Sequence, residues 1–385
     1  MRPTRILRCA LLTALLAALL VPVVASAGSR TVPRGWLGVT FTPSIAARHS
    51  TYDREFREMK RSGVESVRVA VYWFNLQPEK HRRPDFSTVD ALVRSAAANG
   101  LRLAPVVLGA PRWATGNWAR PMPMPKHPAD YARFMTRLVD RYGSTGTYWS
   151  GHRGVRRMPI RSWQIWNEVS NPYYWDSDTW TTDYPRVLRS AYDAIKAADP
   201  RAQVVMAGLN TTGNGRKNPL TSWQALGRIY DGLDFQGLGR PFDATASQIY
   251  TSRASDAVRV VSETRTVMDA HGDTHRPVNV SELAWPASEG KLRDAKGRRR
   301  TFFAETNPKG MARRLSKGIL GLAERRTKLG IGSVHWYQWI SPYSGTVDAF
   351  SYAGLRRAHR TVADTPALTA FRAVARRLEG RRIPR

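Results

Sequence analysis

The segment "RSWQIWNEVSNPYYW" (Arg161–Trp175) places an amide and a carboxylate directly after a short, mostly apolar run. The run from Trp163 to Trp166 has the length and composition of a buried strand. Asn167 and Glu168 follow at its carboxyl end, and three aromatic residues follow in the next few positions. The segment therefore predicts a strand that delivers an acid and an amide to a loop rich in aromatic rings.

Strand-like and helix-like segments alternate along the rest of the chain. Eight short, β-branched or aromatic segments are strand candidates: 36–41, 64–73, 101–109, 161–168, 202–209, 242–250, 277–283 and 332–340. Between them lie segments with apolar residues at three-to-four spacing, which is typical of amphipathic helices. Eight such units predict an α/β fold, a single-domain (β/α)₈ TIM barrel over residues 28–385. A doubly wound open sheet is the alternative, but no G-x-G-x-x-G or Walker loop follows a strand.

The first 27 residues have the pattern of a signal peptide. Three arginines precede the apolar core "CALLTALLAALL", and "ASA" at 25–27 suits a signal peptidase. An uncleaved anchor is the alternative. The single cysteine, Cys9, lies in this segment, so the mature chain is expected to lack disulfides and thiolate metal sites. We therefore expect a secreted protein, extracellular or in the cell envelope, without membrane contact after cleavage.

The chain is strongly basic. Its formal net charge is +30, and loss of the three signal arginines would leave +27. Such a surplus favours acidic partners, although a solvated basic surface would also account for it. No recognised nucleic-acid motif accompanies the charge, so a nucleic-acid partner is not expected. His271 and His275 in "HGDTH" lack a carboxylate pattern, and we expect neither a metal nor a cofactor.

Two glutamates stand at strand ends. Glu168 closes the fourth strand, and Glu282, in "NVSELAWP", closes the seventh. The loops after the strands carry the chemistry of a barrel of this kind, so both side chains should lie at one mouth. Either glutamate alone could be an ordinary solvated side chain. As a pair they suit glycoside hydrolysis, in which one acid protonates the leaving oxygen and one carboxylate acts on the other side of the sugar.

The motifs around these strands resemble clan A glycoside hydrolases, especially families 5 and 39. "WNE" at the end of strand four, the glutamate of strand seven, the aromatic strand eight and "VRVAVYWFNLQP" carry the resemblance. It implies a retaining mechanism with Glu168 as acid/base and Glu282 as nucleophile. It also implies that Asn167 binds the sugar 2-hydroxyl, that Arg68 supports the nucleophile and that Tyr250 hydrogen-bonds it.

The chain departs from the clan at one position and leaves its aromatic contacts to be assigned. The clan often has His-Pro-Tyr where this chain has Gln248-Ile249-Tyr250, so the role of the histidine is lost or moved. On strand eight, side-chain alternation separates Trp336 from Trp339, and Trp339, nearer the tip, is expected to form the floor of the sugar subsite. Trp113 and Trp175 are also expected to bind sugar, since rings stack on sugar C–H faces.

The segment after strand seven, from Ala284 to Pro308, is long and rich in lysine and arginine. Long loops often act as lids, and arginine suits carboxylate, phosphate or sulfate groups. The sequence therefore predicts a monomeric retaining glycoside hydrolase acting on β-glycosidic bonds of a polysaccharide or oligosaccharide, and an acidic one if the loop contacts it. A transglycosylase, or a non-catalytic barrel that binds an anionic cell-envelope polymer, is the alternative.

Overall fold

The computed structural model describes residues 29–42, 51–211, 220–358 and 365–380; the expected signal peptide lies outside these ranges. Eight parallel strands pair in sequence order and close into a barrel, which confirms the predicted single-domain (β/α)₈ fold. The strands are β1 Leu37–Phe41, β2 Ser66–Tyr72, β3 Arg102–Leu108, β4 Ser162–Ile165, β5 Gln203–Asn210, β6 Ala244–Ile249, β7 Val278–Leu283 and β8 Ile331–Trp336.

Helices follow the strands and form the outer layer. They are α1 Tyr52–Arg61, α2 Trp73–Leu76, α3 Ser87–Ala98, α4 Pro128–Tyr142, α5 Thr147–Gly151, α6 Trp180–Ala198, α7 Ser222–Phe235, α8 Asp256–Ala270, α9 Pro308–Glu324, α10 Arg326–Leu329 and α11 Pro366–Leu378. Two short strands beyond the barrel, β9 Ile340–Ser341 and β10 Arg356–Arg357, pair with each other. In the described ranges, no helix is long and apolar enough to cross a membrane.

Apolar residues of the strands face the helices and form the main core. Val67 and Val69 of β2 are buried on the outer side, while Arg68 between them points into the barrel toward Gln164 of β4. This alternation follows from the two-residue period of a strand. The core between barrel and helices is therefore continuous, and the polar residues of the strands are left to the barrel interior.

Two strands end three or four residues before the ends that the sequence predicts. The ladder of β4 ends at Ile165, because Trp166 and Glu168 adopt left-handed backbone angles, with φ of 68° and 41°. Strand β8 ends at Trp336, four residues before the predicted end. Both early ends fall at the mouth where the candidate site lies.

Buried tyrosines of the helices hold the carboxyl ends of the central strands in place. The hydroxyl of Tyr131 in α4 donates to the carbonyl oxygen of Val107 in β3, over 2.8 Å. The hydroxyl of Tyr184 in α6 donates to the carbonyl oxygen of Ile165 (2.9 Å) and accepts from the amide of Ala207 (2.7 Å). Each tyrosine hydroxyl thus satisfies backbone hydrogen-bonding groups near the strand ends, where regular strand pairing stops.

Candidate active site

Glu282 at the end of β7 is held by three donors. Arg68 Nη1 donates to Glu282 Oε1 over 2.7 Å, and Gln248 Nε2 donates to the same oxygen over 3.0 Å. The hydroxyl of Tyr250 donates to the other carboxyl oxygen, Oε2. The glutamate is 7% exposed, so this buried carboxyl group has partners on both oxygens and a fixed orientation.

Asn167 shares two of these donors. Its Oδ1 accepts from Arg68 Nη2 (2.9 Å) and from Gln248 Nε2 (2.6 Å). Arg68 is itself fixed through its Nε, which donates to Gln164 Oε1 over 3.0 Å. Because both donors take the oxygen of the Asn167 amide, its Nδ2 group is the part available to donate to a ligand. The structure therefore brings Arg68, Asn167 and Glu282 together, as the resemblance implies.

Glu168 lies next to this network, and its carboxyl group has a raised pKa. It is 7% exposed, and Asn171 Nδ2 donates to its Oε2 over 2.7 Å. Burial, and then the charge of Glu282, raises the pKa of Glu168 from 4.5 to about 8, against the opposing effects of Asn171, Arg68 and Asn210. At neutral pH Glu168 therefore keeps its proton and can serve as a general acid.

The backbone that presents Glu168 is held in an uncommon conformation. Left-handed φ angles at residues other than glycine are rare and concentrate at functional sites. The Trp166 amide donates to the carbonyl oxygen of Val107 (3.0 Å), and the Glu168 amide donates to that of Gly208 (2.8 Å). The indole N–H of Trp166 donates to the carbonyl oxygen of Tyr174 (2.7 Å). These bonds tie the end of β4 to both neighbouring strands and to the following loop.

Three further tyrosines line the space around the two glutamates. Burial raises the pKa of Tyr174 well above its usual value, with smaller contributions from Glu168 and Glu282. Burial likewise raises the pKa of Tyr72 and of Tyr337, and Glu282 adds to both. All three hydroxyls therefore stay protonated and can donate hydrogen bonds. The site is polar at its centre and aromatic at its walls, which suits a sugar ring with its hydroxyls and C–H faces.

Aromatic residues in contact with one another extend from the site to the protein surface. Tyr72 stacks on Phe74, with ring centroids 5.4 Å apart, and Trp118 packs edge-on against Phe74 at 6.0 Å. Trp118 is 45% exposed and Tyr173, which packs against Tyr174, is 52% exposed. Exposed rings beside a polar site are typical of carbohydrate-binding surfaces.

Solved structures similar to this one are glycoside hydrolases. A family 39 glycoside hydrolase from Bacteroides cellulosilyticus superimposes with a TM-score of 0.65 at 15% sequence identity; the match covers 89% of this chain and 63% of that enzyme. A subfamily 18 enzyme of family 5 from Bifidobacterium longum gives 0.59 at 16% identity, covering 90% and 79%. The family 1 β-glucosidase of Thermotoga maritima gives 0.63 at 10% identity, covering 91% and 99%.

The chain has the fold of clan A glycoside hydrolases. No family model matches its sequence, and no curated protein matches it either. At 10–16% identity these solved structures show the shared fold. The candidate site lies where enzymes of this fold place their chemistry, at the carboxyl ends of the barrel strands.

The glycosidase fold does not bring Trp339 to the site, contrary to expectation. Trp339 is fully buried, and its indole N–H donates to Glu55 Oε2 of α1 over 2.9 Å. Trp336 is also fully buried, and its indole N–H donates to the carbonyl oxygen of Ala353. Tyr337 of this segment lies near Glu282 instead: its ring packs edge-on against Phe350, which packs on Tyr250, and the charge of Glu282 helps to raise its pKa. Strand alternation could not assign these positions, because regular pairing ends at Trp336.

Trp175 and Trp113 likewise pack away from the two carboxyl groups. Trp175 is 2% exposed and packs edge-on between Trp166 and Tyr184, with centroid distances of 5.2 and 5.6 Å. Trp113 packs edge-on against Trp73 at 5.4 Å. Sequence reasoning placed these rings at the site because they follow strands three and four, but the loops turn them toward the helical layer.

Several site residues were not assigned a role from sequence. Asn171, which supports Glu168, and Gln164, which orients Arg68, have no distinctive motif. Tyr72 and Tyr337 could have been suspected, since each lies at or just beyond a strand end. Gln248, at which the sequence departs from the clan pattern, donates to both Asn167 and Glu282.

Proposed function

We propose that this protein is a retaining glycoside hydrolase that cleaves β-glycosidic bonds of a polysaccharide. One observation carries the proposal: the buried Glu168, whose pKa is raised by burial and by the charge of Glu282, lies beside Glu282, whose two oxygens are held by Arg68, Gln248 and Tyr250. Two carboxyl groups in different environments are what acid catalysis and nucleophilic attack on a glycoside require. A barrel that only held a polymer would not need this pair.

In the first step, a carboxylate oxygen of Glu282 bonds to the anomeric carbon. The bond from that carbon to the leaving oxygen breaks, and Glu168 transfers its proton to that oxygen. The free Nδ2 of Asn167 donates to the 2-hydroxyl of the sugar, a contact that strengthens as the ring approaches the oxocarbenium-like transition state. The products of the step are the glycosyl-enzyme ester and the shortened chain.

In the second step, Glu168 accepts a proton from water while the water oxygen attacks the anomeric carbon and releases Glu282. Ester formation removes the negative charge of Glu282, which is one cause of the raised pKa of Glu168. The pKa of Glu168 therefore falls in the intermediate, and the same residue becomes a better base. The arrangement explains how one glutamate can act first as an acid and then as a base.

The test uses Glu282→Ala with aryl β-glycosides and polysaccharides as substrates. Turnover should be lost, and sodium azide should restore activity with a glycosyl azide of inverted anomeric configuration as product. Glu324→Ala, which changes an exposed glutamate at the end of α9, is the control and should keep full activity. Hydrolysis by Glu282→Ala at the wild-type rate would contradict the assignment of the nucleophile.

We further propose that the substrate is an acidic glycan and that Ala284–Pro308 contacts it. Phe302 of this segment packs on Phe350 with centroids 5.4 Å apart, and Phe350 packs on Tyr250 at 4.8 Å. The segment therefore lies on the catalytic face, within two ring contacts of a residue that binds Glu282. Residues 298–300 of the segment, which follow the turn at 294–297, are three exposed arginines.

Replacing Arg298, Arg299 and Arg300 by glutamine should raise KM for an acidic polymer and weaken the salt dependence of KM, because interactions between exposed charges are screened by salt. Kinetics on small neutral aryl glycosides should stay the same, which separates loss of substrate contact from damage to the catalytic residues. Unchanged KM for the acidic polymer at low salt would reject the role of the segment.

We also propose that the protein is secreted. The support is the sequence pattern of residues 1–27. Expression of the full-length gene should give an exported protein whose N-terminal sequence begins at Gly28. A cell-retained protein with an intact N-terminus would contradict this proposal.

A further inference from the structure

A cavity of about 690 Å³ lies at the end of the barrel opposite the candidate active site. Its lining includes the first residues of several strands, such as Ser66 of β2, Arg102 of β3 and Ser162 of β4. It extends along the barrel axis as far as Arg68 and Gln164, which belong to the catalytic network on their other side. The barrel is therefore open at its amino-terminal end.

The space at the amino-terminal end of the barrel results from the residues that face its interior. Barrel interiors are usually filled by layers of branched aliphatic side chains. Here several inward positions are small or polar, among them Ser66, Ser281 and His335. Gly38 allows close packing beside them, because a Cβ at this position would lie 2.4 Å from both His335 and Ser66. Small polar side chains leave space that water or a polar ligand can occupy.

The rim of the cavity carries four exposed arginines, which are Arg34, Arg102, Arg161 and Arg201. No aspartate or glutamate is among the described residues that line it. Across the described part of the chain, none of these four guanidinium groups forms a salt bridge. A concave site lined by one sign of charge focuses its field and concentrates ions of the opposite sign.

The nearby ionisable groups do not cancel this charge. Asp199, outside the lining, is close enough to Arg161 for the arginine to help lower the carboxyl pKa. Glu65 is occupied by Arg30. Inside the cavity, burial lowers the pKa of His335 to about 3, so this side chain is neutral and bonds to Ser66 Oγ over 3.0 Å. The inner wall thus offers neutral polar groups apart from Arg68, whose charge is paired with Glu282. The rim offers guanidinium groups without salt bridges, of which Arg102 donates to the carbonyl oxygen of Arg34 and Arg161 to Ser144 Oγ.

We propose that this amino-terminal cavity binds a small multivalent oxyanion, a molecule with two or more phosphate or carboxylate groups. The volume lies within the range of about 300–1,000 Å³ typical of small-molecule sites. Guanidinium groups recognise both kinds of anion through paired N–H donors. This anion site lies at the opposite end of the barrel from the candidate active site, and the proposal does not depend on glycosidase activity.

The test is isothermal titration of the purified protein with sodium tripolyphosphate and, separately, with sodium citrate, at low salt. The variant Arg34→Gln/Arg102→Gln/Arg201→Gln removes three rim charges. The matched control, Arg57→Gln/Arg228→Gln/Arg313→Gln, removes three exposed charges from the outer helices α1, α7 and α9. Wild type should show one saturable site, and the rim variant should bind at least about tenfold more weakly, because charge-assisted bonds are lost. The control should bind as wild type does.

Tight binding of tripolyphosphate alone assigns a phosphate ligand, and tight binding of citrate alone assigns a carboxylate ligand. Absence of saturable binding for both anions overturns the proposal, and so does an equal loss in the two triple variants. Circular dichroism shows whether the rim variant is folded. If it is not, the single variant Arg201→Glu, at an exposed side chain, replaces it and should show the same direction of change.

Discussion

Replacing Glu168 by glutamine should stabilise the folded protein increasingly as the pH rises. The folded-state pKa of Glu168, about 8, lies above its ordinary value of 4.5, because the carboxyl group is buried beside Glu282. A raised pKa means that the folded state holds the proton more tightly than the unfolded state does. The stabilisation this gives is complete below pH 4.5 and is lost as the pH rises through 8. Glutamine is neutral at every pH and avoids that loss.

The two pKa values set the size of the effect. Because proton binding is coupled to folding, the free energy of unfolding of wild type should be lower by about 3 kcal/mol at pH 7 and by about 5 kcal/mol at pH 9 than at acid pH. The stability of Glu168→Gln minus that of wild type should rise by these amounts. Glutamine also keeps an oxygen that can accept from Asn171 Nδ2, so the bond seen in the structure can persist.

Urea denaturation followed by tryptophan fluorescence, at each pH from 4 to 9, measures this difference. When the same comparison is made in a Glu282→Gln background, the stability difference should rise less with pH. The reason is that the charge of Glu282 is the second cause of the raised pKa of Glu168. The exposed Glu289→Gln is the control and should give a difference that does not change with pH. A flat difference for Glu168→Gln would refute the argument that burial keeps this residue protonated, and with it the general-acid assignment.

Two more predictions concern catalysis and stability. Gln248→Leu should lower kcat/KM by about 10- to 100-fold, since Glu282 loses a buried donor, while the circular dichroism spectrum stays unchanged; wild-type kinetics would show that this donor is dispensable. Glu55→Ala should cost about 3–5 kcal/mol in urea denaturation because it leaves Arg356 buried and unpaired. Glu58→Ala, in a partly exposed pair, should cost less than about 1 kcal/mol; similar losses in both would contradict the distinction.

The fold was predictable because it depends on patterns that repeat along the chain. Each of the eight predicted strands has a counterpart in the barrel, and the two-residue period correctly separates Val67 and Val69 from Arg68. Strand ends were less predictable. β4 stops at Ile165 and β8 at Trp336, where the backbone leaves the regular ladder for reasons that involve neighbouring strands and loops.

Among the predicted site residues, those on or directly after strands came together and those in loops did not. Arg68 lies on a regular strand, so its inward direction follows from its position, whereas Glu282 follows the inward Ser281 directly and lies where the pairing of β7 with β6 and β8 shifts register. Trp113, Trp175 and Trp339 lie beyond the strand ends, where the direction of a side chain depends on tertiary packing. A tryptophan in such a loop can remove its ring from water by packing against helices, so its presence alone does not indicate that it stacks on a sugar.

The amino-acid sequence was enough to predict eight strands alternating with helices and two glutamates at strand ends on the same face. Both follow from local periodicity and chain order. The three-dimensional arrangement was needed to show that Gln248 joins Asn167 to Glu282 and that Tyr337, not Trp339, lies near Glu282. Only the structure, too, showed that burial leaves Glu168 protonated and that the opposite end of the barrel is open. These properties depend on distances between residues far apart in the chain and on exclusion of water, and neither is encoded by any one segment.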